Sequence, residues 1–260
     1  MKKFLFLILF IIPFPFLTYC QPLKILPNTF FKVGESLTYN MRYGFIVGGE
    51  VKLETIESHT DSNNTLHIKG SAQTKGIADK LFRVRDVYES YTEKESGLPV
   101  LAIQDVKEGK NYKYFNQVSY NRKNSTVTST KSGEHKVSEN ILDMISVFYY
   151  ARCVDYSKAK EGDVFKLNTF FSDKEFPLEL RYRGKETIET DFGYIKCLKF
   201  APVVEPGRVF KSKDDMYVWF TDDENRIIAK ATLEMLVGHV TIELKNHSGL
   251  ANTPAFFKRK

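Results

Sequence analysis

Residues 216–234 read MYVWFTDDENRIIAKATLE, and the way their apolar positions alternate decides the fold. Met216, Val218 and Phe220 alternate on the way in, and Ile227, Ala229, Ala231 and Leu233 alternate on the way out. A period of two puts such side chains on one face of a pleated strand, the pattern of an antiparallel sheet with one face buried. Between the two runs stand three consecutive carboxylates, Asp222, Asp223 and Glu224, then Asn225 and Arg226. They read either as an acid/base or metal site or as the tip of a hairpin. Asp and Asn suit turns because their side chains bond the nearby backbone and tolerate left-handed geometry. The glycine-punctuated spacing of a calcium loop is absent. Neighbouring residues on a strand point to opposite faces, which works against a cooperating carboxylate pair. The stretch therefore reads as a turn.

The same alternation extends in both directions. Val240, Ile242 and Leu244 follow Gly238, and Leu178, Leu180 and Tyr182 alternate with Glu179, Arg181 and Arg183. Leu66, Ile68, Gly70 and Ala72 keep the period. Leu37, Tyr39, Met41 and Tyr43, with Val51, Leu53 and Ile56, read as a hairpin turning at Gly48 and Gly49. Two helical pieces interrupt the pattern. One is short, over residues 76–82. The other, SENILDMISVFYYARC at 138–153, has Ser138 as its N-cap and Arg152 at its C-terminus. Ile141, Ile145 and Phe148 share a face with Leu142 and Tyr149, enough apolar surface to pack across a sheet. Residues 120–136 are nearly free of apolar side chains and read as a hairpin tip and loop. No internal repeat is visible, so residues 21–260 are expected to form one mainly β domain.

The N-terminus reads MKKFLFLILFIIPFPFLTYCQP. Lys2 and Lys3 precede an apolar run at 4–17 that Pro13 and Pro15 interrupt. A spanning helix needs about 20 apolar residues, so residues 1–20 read as a cleaved export signal. Leu17-Thr18-Tyr19-Cys20 resembles a lipobox, which would leave a lipid anchor on Cys20. Tyr19 is large for the position before such a cysteine, and ordinary cleavage leaving Gln21 first fits better. Without Lys2 and Lys3 the formal charge falls from +6 to +4, and the basic residues are dispersed among acidic ones. A nucleic-acid partner is not expected from such a distribution. Cys153 and Cys197 remain after export. An oxidising compartment allows them to pair, but their apolar surroundings suit free buried thiols better.

Several short motifs together resemble the exported bacterial family known as domain of unknown function 3108. They begin with Phe31-x-Val33-Gly34-Glu35-x-Leu37-x-Tyr39, Thr74-Lys75-Gly76 and Arg85-Asp86-x-Tyr88-Glu89-Ser90. They continue with Asp143-Met144, Phe148-Tyr149-Tyr150-Ala151-Arg152, Gly207-Arg208-x-Phe210, Trp219-x-Thr221-Asp222-Asp223 and Gly238. His239 departs from the small residue expected there. The resemblance spans roughly residues 28–246. It implies a strongly curved antiparallel sheet or barrel-like β structure with one or two packed short helices, similar to capsule-associated lipoproteins. It also implies export in a Gram-negative bacterium, to the periplasm or in association with the outer membrane. The family offers no established catalytic residues to carry over.

The chemistry is sparse. The histidines are His59, His67, His135, His239 and His247, with no His-x-His or His-x-x-x-His pair to start a zinc site. Neither a nucleophile elbow nor a phosphate-cradling glycine loop appears, and no cofactor is implied. Arg85, Asp86, Tyr149, Tyr150, Arg152 and Trp219 form the constellation with most chemical content. They would line a cleft for a sugar or carboxylate. Alternatively, Arg152 pairs with Asp86 as a buried or half-buried ion pair. The expected function is a non-catalytic cell-envelope module that binds an envelope polysaccharide, lipid or protein. The alternative is a lyase-like enzyme on polysaccharide, using Tyr and Arg. Export has a direct test: mass spectrometry of the native protein should find an N-terminus at acylated Cys20 or at Gln21, and an intact Met1 would overturn it.

Overall fold

The structure, a computed structural model, describes residues 22–58, 64–203, 216–234 and 238–258. The export segment with Cys20, His59 and the Gly207-Arg208-x-Phe210 motif lie outside the described residues. The first half of the chain forms β1 (Ser36–Tyr43), β2 (Ile46–Glu57), β3 (Thr65–Thr74), α1 (Gly76–Leu81), β4 (Arg85–Glu93) and β5 (Pro99–Glu108). It continues with β6 (Tyr112–Asn121), β7 (Thr126–Ser129), β8 (Gly133–Lys136) and α2 (Ser146–Arg152). The second half is β9 (Val164–Phe171), β10 (Lys174–Thr190), β11 (Gly193–Pro202), β12 (Met216–Thr221), β13 (Ile228–Glu234) and β14 (His239–Ser248).

All 14 strands join one antiparallel sheet, in the order β8-β7-β6-β5-β4-β3-β2-β1-β14-β13-β12-β11-β10-β9. Each half is a meander, and the β1–β14 pair joins them. Edge strands invite pairing with other chains unless they are covered. Here the two ends of the order, β8 and β9, are bridged. The Leu142 amide donates to the Asn168 carbonyl, and the Phe170 amide donates back to Leu142. Asp173, in the β9–β10 turn, accepts from the Ser129 hydroxyl at 2.7 Å and the Asn116 amide at 3.2 Å. The sheet therefore curls until its ends meet through side chains and one short segment.

Helix α2 is what the sheet curls around. Its Val147 and Ala151 belong to a core cluster with Phe165, Leu180, Phe200 and Phe220 of the second half. Ile145 at its start, Tyr149 and Cys153 belong to another with Leu37, Leu53, Leu66 and Ile68 of the first half. A short helix that buries opposite faces against both halves of one sheet acts as the centre of the fold.

Several boundaries differ from the sequence reading. The helix begins at Ser146, not near Ser138. The Ser138 amide instead donates to the Glu175 carboxylate. Asp143 starts the helix, its Oδ1 accepting from the amides of Ile145 and Ser146 at 2.7 and 2.8 Å. Ile141 leaves the helix face and packs with Val118, Val127 and Phe170. Residues 120–136, read as tip and loop, contribute β7 and β8. The first hairpin turns at Gly44–Phe45, between β1 and β2, and Gly48 and Gly49 lie inside β2. Gly49 is needed for close approach: a Cβ there would lie 2.8 Å from the Gln73 carbonyl oxygen of β3 and 2.6 Å from Met41 Cε. At Gly48 the only near neighbour would be Ala78 Cβ, at 3.4 Å.

Antiparallel pairing also sorts the turns. The β1–β2 turn, α1, the β5–β6 turn and the β9–β10 turn fall at one end of the sheet. The β4–β5 turn and residues 222–226 fall at the other. The close approach at Gly49 predicts that Gly49→Ala lowers stability by roughly 1–3 kcal/mol through overpacking, while Gly48→Ala changes it by less than about 1 kcal/mol. Urea unfolding of both variants checks this, and equal effects would contradict the packing of β2 on β3.

Candidate functional site

The six residues singled out from the sequence do not converge. Arg152 is 3% exposed and its partner is Glu35, 1% exposed, rather than Asp86. Its Nη1 and Nη2 reach the two Glu35 carboxylate oxygens at 2.6 and 2.8 Å. Nη2 also donates to the Phe30 carbonyl at 2.8 Å, and Nε to the Asn225 carbonyl at 2.9 Å. The rings of Phe31 and Tyr149 stack on the guanidinium, 4.9 and 5.2 Å away. Burial by itself lowers the Arg152 pKa, but the bidentate Glu35 contact outweighs it and holds the guanidinium above its ordinary value. Arg152 is a charge locked into the core.

Asp86 lies on β4, away from the helix, where it accepts from the Lys107 amide at 3.0 Å. Arg85 turns to Asp79 of α1, at 2.7 Å. Trp219 points to the face of β12 opposite Val218 and Phe220, donating to Glu186 at 3.1 Å beneath the Lys199 ammonium. Tyr149 is buried, which pushes its phenol well above the ordinary value. Tyr149 and Tyr150 do meet in the wall of one cavity of about 230 Å³, with Phe31, Ile68 and Cys153. Burial pushes the Cys153 thiol there up to about 11, so it stays a neutral thiol. Cys197 is likewise free and buried, in a different cluster.

The carboxylates of the opening stretch form a turn, as their sequence predicts. Asp223 Oδ1 accepts from the Thr221 hydroxyl at 2.7 Å and from the Asn225 and Arg226 amides at 3.0 Å. Asp222 pairs with Lys185 at 2.6 Å. Arg226, held at φ +48°, donates to the carbonyls of Arg152 and Val154 and so satisfies the C-terminus of α2. The turn is a structural knot at one end of the central helix.

What sequence reasoning missed is a second cavity of about 230 Å³, on the other side of α2. One wall is Val147, Phe148 and Ala151 from one face of α2, with Met144 from the turn that precedes it. The other wall comes from strands: Thr169 and Phe171, Phe176, Leu178 and Leu180, Pro202 and Val203, then Met216, Val218 and Phe220. The alternating strand residues and the helical face were each legible as apolar. The gap between them was not, because it depends on how closely the small side chains of Val147 and Ala151 approach the sheet. The floor is deeply buried at Leu180, Val218 and Phe220, and the wall is more open at Leu178, Met216 and the exposed Phe171. Among the described residues, Thr169 is the one polar lining side chain, and its hydroxyl already donates to the Phe176 carbonyl at 2.6 Å. The cavity presents no acid, base, nucleophile or free hydrogen-bonding side chain among the described residues.

Residues 38–245 match the family model described as "Protein of unknown function (DUF3108)". A beta-barrel-like protein of domain of unknown function DUF1849 from Brucella abortus has a similar fold, with a TM-score of 0.55 and 10% identity. The alignment covers 87% of this chain and 99% of that one. A hypothetical protein from Chlamydia trachomatis aligns over 91% of this chain and 99% of its own, at 10% identity and a TM-score of 0.38. No curated protein matches.

The Arg152–Glu35 geometry predicts that Glu35→Ala costs about 3–5 kcal/mol, because it strands a buried guanidinium. The double variant Glu35→Leu/Arg152→Met should recover most of that loss. Chemical denaturation of the three proteins decides it: a Glu35→Ala protein within about 1 kcal/mol of the parent would refute a buried pair.

Proposed function

The chain belongs to the DUF3108 family, and from that premise we propose that it is an exported, non-catalytic cell-envelope protein that holds the acyl chain of a lipid. The observation that carries this reading is the apolar cavity between α2 and β9–β12. Binding sites are mostly apolar, with a few polar groups that fix orientation. Among the described residues, this one has a hydrocarbon and aromatic lining whose single hydroxyl is already engaged. Sugar hydroxyls would lose their hydrogen bonds to water there and find no partners, at a cost of roughly 1–3 kcal/mol each. A methylene chain loses nothing and gains about 0.8 kcal/mol per buried CH₂. A volume of about 230 Å³ suits one chain better than a bulky polycyclic ligand.

The lyase-like alternative has little to work with. It needs an accessible tyrosine and arginine, whereas Tyr149 and Arg152 are in the core and Arg152 already holds Glu35. The lysine-led apolar segment at 1–20 supports export to the periplasm or outer membrane, with an acyl anchor on Cys20 as its variant form.

A series of saturated fatty acids displacing a fluorescent fatty-acid probe tests the reading. Affinity should rise about fourfold per added methylene, following the burial gain per CH₂, until the cavity is full. Val147→Phe, which fills the space from the helix wall, and Met216→Trp, at the more open side, should each weaken binding at least tenfold, about 1.4 kcal/mol. A flat chain-length series, or equal binding by folded variants of both kinds, would refute it.

A further inference from the structure

The end of the sheet that holds Phe171 and Met216, two of the more exposed cavity-lining residues, also carries side chains that a water-facing surface would not choose. Phe45 is the second residue of the two-residue β1–β2 turn and is 92% exposed, with Ile46 and Val47 exposed beside it. Helix α1 buries none of its residues. Its Ile77 and Leu81 are 71% and 82% exposed, and Phe82 follows, also exposed. These are two parts of one surface. The Lys75 amide donates to the Gly48 carbonyl at 2.9 Å, which docks the start of α1 on β2. At the other side of α1, the Gly109 amide donates to the Arg83 carbonyl at 2.8 Å, which docks the β5–β6 turn.

Single exposed apolar residues need no explanation, but a contiguous set at one pole does. The residues stand on a protruding turn and the outward face of a short helix, not in a groove that a globular partner would fill. Lys80 and Lys110 stand exposed on the same rim and make no ion pair among the described residues. Arg83 reaches Asp79 only at 3.4 Å, with its side chain 67% exposed. Protruding apolar tips with cations around them match an interface of acyl chains below anionic headgroups, where apolar area and charge both contribute. Register fixes the relation to the cavity. The Tyr43 end of β1 pairs with Val240, Val240 with Leu233, and Leu233 with Met216, a cavity-lining residue.

From this arrangement we infer that the pole formed by the β1–β2 turn and α1 is a membrane-docking surface that inserts Phe45, Ile46, Ile77, Leu81 and Phe82 into an anionic bilayer. The inference rests on the acyl-chain reading only for its purpose: docking at this pole brings the open side of the cavity towards the membrane, so a chain would pass between bilayer and protein with little exposure to water.

The test is sedimentation with vesicles of phosphatidylethanolamine and phosphatidylglycerol, against vesicles of phosphatidylcholine alone. Every sample is the full protein carrying Cys20→Ser, so that no acyl group at that residue contributes. The parent should partition to the anionic vesicles, with weaker binding to the neutral ones. Phe45→Ser/Leu81→Ser should reduce partitioning at least tenfold while leaving the melting temperature and fatty-acid displacement unchanged. Lys80→Glu/Lys110→Glu should remove the preference for anionic vesicles. A parent that ignores both vesicle types, or a Phe45→Ser/Leu81→Ser protein that binds as well as the parent, overturns the inference. So does a concentration-dependent dimer that the same double variant dissolves, since the pole would then face a second copy. Failure of fatty-acid displacement with vesicle binding intact would sink the acyl-chain reading and leave the docking surface standing.

Discussion

The pair between Arg152 and Glu35 is the constraint on which the rest of the molecule is arranged. Removing a guanidinium and a carboxylate from water costs several kcal/mol per ion, and only good geometry offsets it. Arg152 meets that condition with four hydrogen bonds to three groups from two separate parts of the chain: Glu35, the Phe30 carbonyl and the Asn225 carbonyl. Those groups come from the segment leading into β1 and from the β12–β13 turn. The two halves of the sheet can satisfy the arginine only if both close on the end of α2. An alternative packing leaves a buried charge unpaired, so the pair selects one closure from many hydrophobic ones.

The same end of the fold is finished with polar groups. Arg226 takes the last carbonyls of α2, and its guanidinium lies over Phe30 and Tyr156, 4.4 and 5.6 Å from their rings. Buried Asn225 exchanges hydrogen bonds with Asn252, at 3.0 and 2.9 Å. The start of α2 is held by polar groups too: buried Asp143 accepts from the Ile145 and Ser146 amides and from the Ser90 hydroxyl. Between those two ends, along one side, α2 presents Val147 and Ala151 to a wall of aromatic and aliphatic strand residues. The molecule is therefore asymmetric about the helix: hydrogen bonds fix both of its ends, and the apolar cavity lies against one side.

The candidate residues read from sequence divided along a physical line. Tyr149 and Arg152 do carry unusual environments, and their spacing at the helix end marks them. A sequence gives charge type but not burial, and Arg152 was equally compatible with a cleft and with a core. The partner, Glu35, lies 117 positions away, at a separation where local spacing carries no signal. Asp86, the other partner that the sequence offers to Arg152, lies on β4, whose pleat turns it to the Lys107 amide. The N-terminus of α2 was misplaced because Leu142 and Ile141 keep helical spacing while Asp143 supplies the real start. Leu142 is claimed by β9 instead, so a tertiary bridge overrides a local preference.

By itself the sequence determined the antiparallel sheet, the turn at 222–226, the short helix at α1 and the presence of one central helix. Each of these follows from interactions between residues a few positions apart: alternation, Asx turns and helical spacing. Only the tertiary structure decided which charge pairs with Arg152, where the first hairpin turns, how the ends of the sheet meet, and that an apolar cavity stands beside α2. Those outcomes are set by distances between segments far apart in the chain. A void is a difference between packed volumes, and no periodicity along a single strand or helix encodes it.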